Sequence, residues 1–146
     1  MIIGLEIIQR AEFSCGYMSS MSQLPKFNAC HYKVEVTVCS KHKGYDIDLV
    51  ISYSDMKKYL DKILPNNAFM ISTDIDVSEF NILYDTFKRL GVRVAKVDYT
   101  ITSENLATAI ANTLQTIMDD DKLDLVVTEV KLKETNSSTV RWSKHI

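Results

Sequence analysis

The clearest signal along the chain is alternation. Tyr32 to Cys39 (YKVEVTVC) sends Tyr32, Val34, Val36 and Val38 one way and Lys33, Glu35 and Thr37 the other, the pattern of a strand with one wet face. Leu123 to Lys133 (LDLVVTEVKLK) alternates in the same way. Ile2 to Phe13 is also β-like, with Ile3, Leu5 and Ile7 on one parity and Ile2 and Ile8 on the other, and it ends near Gly16. Ser14 to Asn28 has no clear period and contains Pro25, so it reads as a loop. Lys41-His42-Lys43-Gly44 reads as a hairpin turn, with Tyr45 to Ser52 as the returning strand of an antiparallel pair. Phe69 to Ile75, Val92 to Tyr99 and Thr139 to Trp142 are shorter strands, the last entered by a turn over Glu134 to Ser138.

Three segments change to a helical period. Asp55 to Leu64 carries Met56, Tyr59, Leu60 and Ile63 as its apolar stripe, with Ser54 as the cap and Pro65-Asn66-Asn67 as the stop. Ser78 to Leu90 puts Phe80, Leu83, Phe87 and Leu90 on one side, and Gly91 follows as a C-terminal cap. Glu104 to Met118 is the longest, with Leu106, Ile110, Leu114 and Ile117 on one face. Thr102 or Ser103 can cap it, and Glu104 then lies in the first turn, where the helix dipole favours a carboxylate. Asp119-Asp120-Asp121 reads as a solvated turn. Strands at both ends and helices between them predict an α+β fold, a mostly antiparallel sheet with helices on one face.

Composition narrows this picture. A chain of 146 residues with 46% hydrophobic and 25% charged residues has enough apolar material for one core, so a single domain over 1–146 is expected. The net charge of −2 removes a global electrostatic case for nucleic acid. A local alternative remains: Lys131, Lys133, Arg141 and Lys144 as a basic stripe, with Trp142 and Tyr99 for stacking, though a solvated sheet face explains these residues more simply. Cys15, Cys30 and Cys39 give no disulfide framework. Glu6 breaks the opening apolar run, and no run approaches the ~18 residues of a membrane span. The expectation is a soluble cytoplasmic protein without a membrane partner.

Four stretches, with Glu134-Thr135 after the long strand, resemble the tetrahydropterin synthase family in order and spacing. Glu12-Phe13-Ser14-Cys15-Gly16 is similar to F-S-A-x-H. His31 to Val38 is similar to the strand that follows H-G-H. Leu49 to Lys57 (LVISYSDMK) is similar to M-V-x-D-F-x-D-L-K. Ile101-Thr102-Ser103-Glu104-Asn105-Leu106-Ala107 is similar to P-T-x-E-N-x-A, and Glu134-Thr135 to the family's E-T. The resemblance implies the tunnelling fold, a homo-oligomer (a trimer, or a hexamer made of two) and ligands held between subunits.

The resemblance also marks what is missing. The family holds zinc through three histidines, and the matching positions here carry Tyr17, Asn28 and Cys30. Three imidazoles with an open fourth position make a catalytic zinc; a phenol, an amide and one thiol do not. The stretch where the family's nucleophilic cysteine lies is Ser22-Gln23-Leu24-Pro25-Lys26, and the catalytic L-D-H is matched by Leu64-Pro65-Asn66. No metal, no cofactor and no catalytic residue is therefore expected. What stays is the end of the pocket that grips a heterocycle. There the resemblance implies that Glu134 accepts from the N–H and amino edge of a pterin or a guanine, with Thr135, Thr102, Ser103 and Glu104 beside it. The expected function is a non-catalytic, metal-free binding or scaffold module. The alternatives are a lyase-type enzyme with a rearranged site using Cys30, Ser22 and Glu104, and an RNA- or single-stranded-DNA-binding module on the final strands.

Overall fold

The computed structural model describes residues 5–19, 26–40, 51–73, 77–135 and 138–144. Among them the order is β1 (Glu6–Ser19), β2 (Lys26–Ser40), α1 (Tyr53–Ile63), β3 (Ala68–Ser72), α2 (Val77–Arg89), β4 (Val94–Val97), α3 (Ser103–Asp120), β5 (Leu125–Thr135) and β6 (Ser138–Ser143). The strands form one sheet in the order β4-β3-β1-β2-β5-β6. The β1–β2, β2–β5 and β5–β6 pairings are antiparallel, while β1–β3 and β3–β4 are parallel. The sheet is mixed with an antiparallel majority, and the α+β class holds.

Several boundaries differ from the sequence reading. The loop expected over 14–28 is largely strand: β1 runs on to Ser19 and β2 starts at Lys26. This stretch is held from both sides, by β2 (Cys15 opposite Cys30, Tyr17 opposite Asn28) and by the parallel β3 (Gly16 beside Phe69). Such pairing overrides weak local propensity. Glu134 and Thr135 belong to β5 and not to a turn. Ser52, not Ser54, caps α1, its hydroxyl accepting from the Asp55 N–H at 3.1 Å. The turn and most of the returning strand expected over 41–52 lie outside the described residues. The described neighbours of β2 are β1 and β5.

Alternation decides what each face of the sheet meets. Phe13, Cys15, Tyr32, Val34, Val36, Val130 and Leu132 are buried against α1 and α3. Helix α1 contributes Met56 and Leu60, and α3 contributes Leu106, Ala107, Ile110, Ala111, Leu114 and Met118, all buried. Phe13 and Tyr32, opposite each other in register, stack with centroids 5.2 Å apart. A register shift between Thr37 and Val38 lets Val127 and Val130, three residues apart on β5, both join the same core. Helix α2 packs on Phe69, Ile71 and Val94, where Phe69 meets Phe87 at 4.6 Å. These side chains alternate with Met70, Ala95 and Val97 of the main core, so α2 lies on the opposite face of the sheet from α1 and α3. The helices are therefore not all on one face, as the sequence led us to expect. Gly16 is required below Phe69: a Cβ there would lie 2.8 Å from the ring. Gly91 closes α2 with φ 75°, a left-handed conformation that glycine adopts without strain.

Candidate functional site

Two adjacent residues at the start of α3 serve different partners. Thr102 is the cap; its hydroxyl accepts from the Asn105 N–H at 3.1 Å. Asn105 in turn donates through Nδ2 to the Thr100 carbonyl at 2.8 Å. With the cap role filled by Thr102, the Ser103 hydroxyl is free to donate to Glu134 Oε2 at 3.1 Å. The other oxygen, Oε1, accepts from the Cys30 thiol at 3.3 Å. Glu134 therefore joins β5 to β2 and to the N-terminus of α3, whose dipole favours a carboxylate.

The register builds the rest of the site. Cys15 opposite Cys30 and Tyr17 opposite Asn28 lie on the side of the sheet covered by α1 and α3, in line with Phe13 and Tyr32. The Tyr32 hydroxyl is close enough to Ser103 and Cys30, and the Tyr17 hydroxyl to Cys30, to interact with them. The result is one polar cluster of Tyr17, Cys30, Tyr32, Ser103 and Glu134, in which Ser103 and Cys30 hydrogen-bond to Glu134. Burial, then the neighbouring Cys30, pushes the Tyr17 phenol up to about 12. Burial does the same to Cys15, again to about 12, with Cys30 adding to it. Burial first, and then its bond to Glu134, raises the Cys30 thiol. Burial raises Tyr32 as well. These thiols and phenols are thus held in their protonated form near neutral pH.

The residue types at these positions bear on whether the site fits a metal. The structure does bring Tyr17, Asn28 and Cys30 onto one face, where the resemblance places three metal-binding histidines. A phenol, an amide and a single thiol are a poor donor set for zinc, which favours several thiolates and imidazole nitrogens. Among the described residues no group of three or more His, Cys, Asp and Glu side chains is placed to hold a metal ion. A protonated thiol is also a poor nucleophile. Asn66, at the position of the L-D-H histidine, accepts from the Ser14 N–H at 3.1 Å and so ties the α1–β3 connection to β1.

Not every residue singled out in the sequence joins the site. Glu104 is exposed, and its backbone carbonyl accepts from the Thr108 hydroxyl at 2.9 Å. Ser22 and the Thr135 side chain lie outside the described residues. Trp142 and Tyr99 pack against the core, whereas Lys131 and Arg141 project from the opposite side of the sheet, so the stacking partners of the nucleic-acid alternative are separated from its cations. Sequence reasoning assigned no role to Tyr32 or His31. Tyr32, read only as a core position, also supplies a hydroxyl to the site. His31 lies on the far face, where Nδ1 meets the Ser14 hydroxyl at 2.8 Å and Nε2 meets Glu12 at 3.2 Å. Only the pairing of β1 with β2 brings these groups together.

No helix among the described residues is long and apolar enough to cross a membrane. The chain is similar in fold to a Wolinella succinogenes protein described as uncharacterized, at 16% identity and TM-score 0.71 over 99% of this chain and 100% of that one. It is similar to the Plasmodium vivax 6-pyruvoyl tetrahydropterin synthase, at 16% identity and TM-score 0.69 over 99% and 100% of the two chains. The Caenorhabditis elegans 6-pyruvoyl tetrahydropterin synthase follows at 15% identity and TM-score 0.61, over 97% of this chain and 96% of that one. No curated protein matches the chain. Residues 6–144 match the model of the 6-pyruvoyl tetrahydropterin synthase family. The chain belongs to the 6-pyruvoyl tetrahydropterin synthase family.

Proposed function

We propose that this protein is a metal-free, non-catalytic member of its family that binds a small heterocycle of the pterin or guanine type at Glu134. The observation that carries the reading is the double anchoring of that carboxylate by Ser103 and Cys30. Each oxygen receives one hydrogen bond from the chain and keeps capacity for another. A pair of oxygens at fixed spacing suits the adjacent N–H and amino donors of a pterin or guanine edge. The replacement of all three expected histidines by Tyr17, Asn28 and Cys30, with donor chemistry unsuited to zinc, supports the metal-free part. A cytoplasmic homo-oligomer, a trimer or a hexamer, completes the proposal, and sedimentation analysis tests the assembly.

The function is tested by thermal shift against neopterin, biopterin, guanine and guanine nucleotides. The expected result is a saturable rise in Tm with at least one of them, lost in Glu134→Gln. That substitution exchanges one acceptor oxygen for an amide donor and costs a charge-assisted bond about 1.5–3 kcal/mol, or roughly ten- to a hundredfold in affinity. No stabilisation by any of these compounds, or full stabilisation in Glu134→Gln, contradicts the reading.

A further inference from the structure

The face of the sheet away from α1 and α3 carries a second arrangement, in which like charges oppose one another. Reading across β1, β2, β5 and β6, one row is Arg10, Glu35, Lys131 and Arg141. The next is Glu12, Lys33, Lys133 and Thr139. Lys33 is therefore directly opposite Lys133, and Lys131 directly opposite Arg141. Such pairs destabilise a sheet. The carboxylates on this face are already engaged. Glu35 takes Arg10 at 2.9 Å and Lys131 at 3.9 Å, and Glu12 takes His31 at 3.2 Å and Lys33 at 4.0 Å. Glu129 takes Lys131 at 3.5 Å together with Arg141. Among the described residues no carboxylate pairs with Lys133.

A cavity of about 390 Å³ opens over the two rows. Arg10, Lys33, Lys131 and Lys133 line it against two carboxylates, Glu12 and Glu35, with Thr139 at the β6 side. A chain of net charge −2 thus concentrates positive charge in one concave place. We propose that this cavity is a binding site for a compact polyanion of the phosphate-ester class, carried by a small soluble molecule and held by Lys133, Lys33 and Lys131. A multiply charged phosphate group bridging Lys33 and Lys133 removes the repulsion that the register builds in. A small ligand is favoured over nucleic acid because Trp142 packs on the other side of the sheet, leaving this face without that ring for bases to stack on. The site lies across the sheet from Glu134 and is independent of the proposed heterocycle pocket.

The test is calorimetric titration of the whole protein with pyrophosphate, with inorganic phosphate and sulfate as controls, in parallel with Lys133→Gln. Pyrophosphate is expected to bind saturably and more tightly than either control, with an affinity that falls as salt rises. Lys133→Gln is expected to weaken it about tenfold, the size of one charge-assisted contact. The same substitution is expected to raise Tm without ligand, because it removes a like-charge pair, a gain that a merely stabilising lysine would not give. Equal, non-saturating responses to all three anions overturn the proposal, as does unchanged pyrophosphate affinity in Lys133→Gln. Single-stranded RNA binding more tightly than pyrophosphate through the same lysine overturns the small-ligand assignment. Since Glu134→Gln leaves this site untouched, failure here and failure of the heterocycle reading are separate results.

Discussion

Thr102 and Ser103 are chemically alike, yet the backbone gives them different tasks. Thr102 satisfies one of the first free amides of α3, that of Asn105, and Ser103 is left to hold Glu134. Thr102→Ala is therefore expected to cost about 1 kcal/mol in urea denaturation, and Thr102→Ser close to nothing. Ser103→Ala should barely move stability while weakening any ligand that depends on the orientation of Glu134; the reverse pattern for the two positions contradicts this division. Cys15 makes a prediction of opposite character. Its thiol, ordinarily at 9.0, is pushed to about 12 by burial and by Cys30. The folded chain keeps a proton that the unfolded chain releases, so this contribution is whole below pH 9 and is lost as pH rises toward 12. Tyr17 and Tyr99, also at about 12, act in the same direction. Tm should fall across that alkaline window, and less steeply in Cys15→Ala; equal slopes in the two proteins count against the buried, protonated thiol.

At the scale of elements, α3 is the part on which the site depends, since it covers the sheet and delivers Ser103 at its first residue. Leu114 is fully buried there, and Leu114→Ala should cost about 2–5 kcal/mol by calorimetry. An effect under 1 kcal/mol would mean that α3 does not seal the core. This helix was legible in the sequence because its apolar stripe, cap and length agree with one another, and so were the alternating halves of β2 and β5. The stretch from Ser14 to Ser19 was not. Ser14, Cys15 and Gly16 have little strand preference of their own, and β2 on one side and β3 on the other hold them extended. The site inherits the same limit. Glu134, Ser103 and Cys30 could be singled out one at a time through the family pattern. That Cys30 donates to Glu134, and that Tyr32 joins them, follows from cross-strand register, which no local pattern encodes.

The whole molecule presents two faces with different chemistry. The face covered by α1 and α3 ends in a set of protonated thiols and phenols around one carboxylate. The opposite face carries α2 over β3 and β4 and, across β1, β2, β5 and β6, a field of paired and opposed charges. The central claim is that the first of these still grips a heterocycle after the family's metal ligands have been replaced. Its most direct test is calorimetric titration of neopterin and guanosine triphosphate into protein treated with a chelator, beside a sample supplied with zinc. The account predicts saturable binding of at least one compound at the same affinity in both samples, with elemental analysis finding no stoichiometric zinc in the supplied one. Binding that appears only when zinc is present and bound one to one would contradict it.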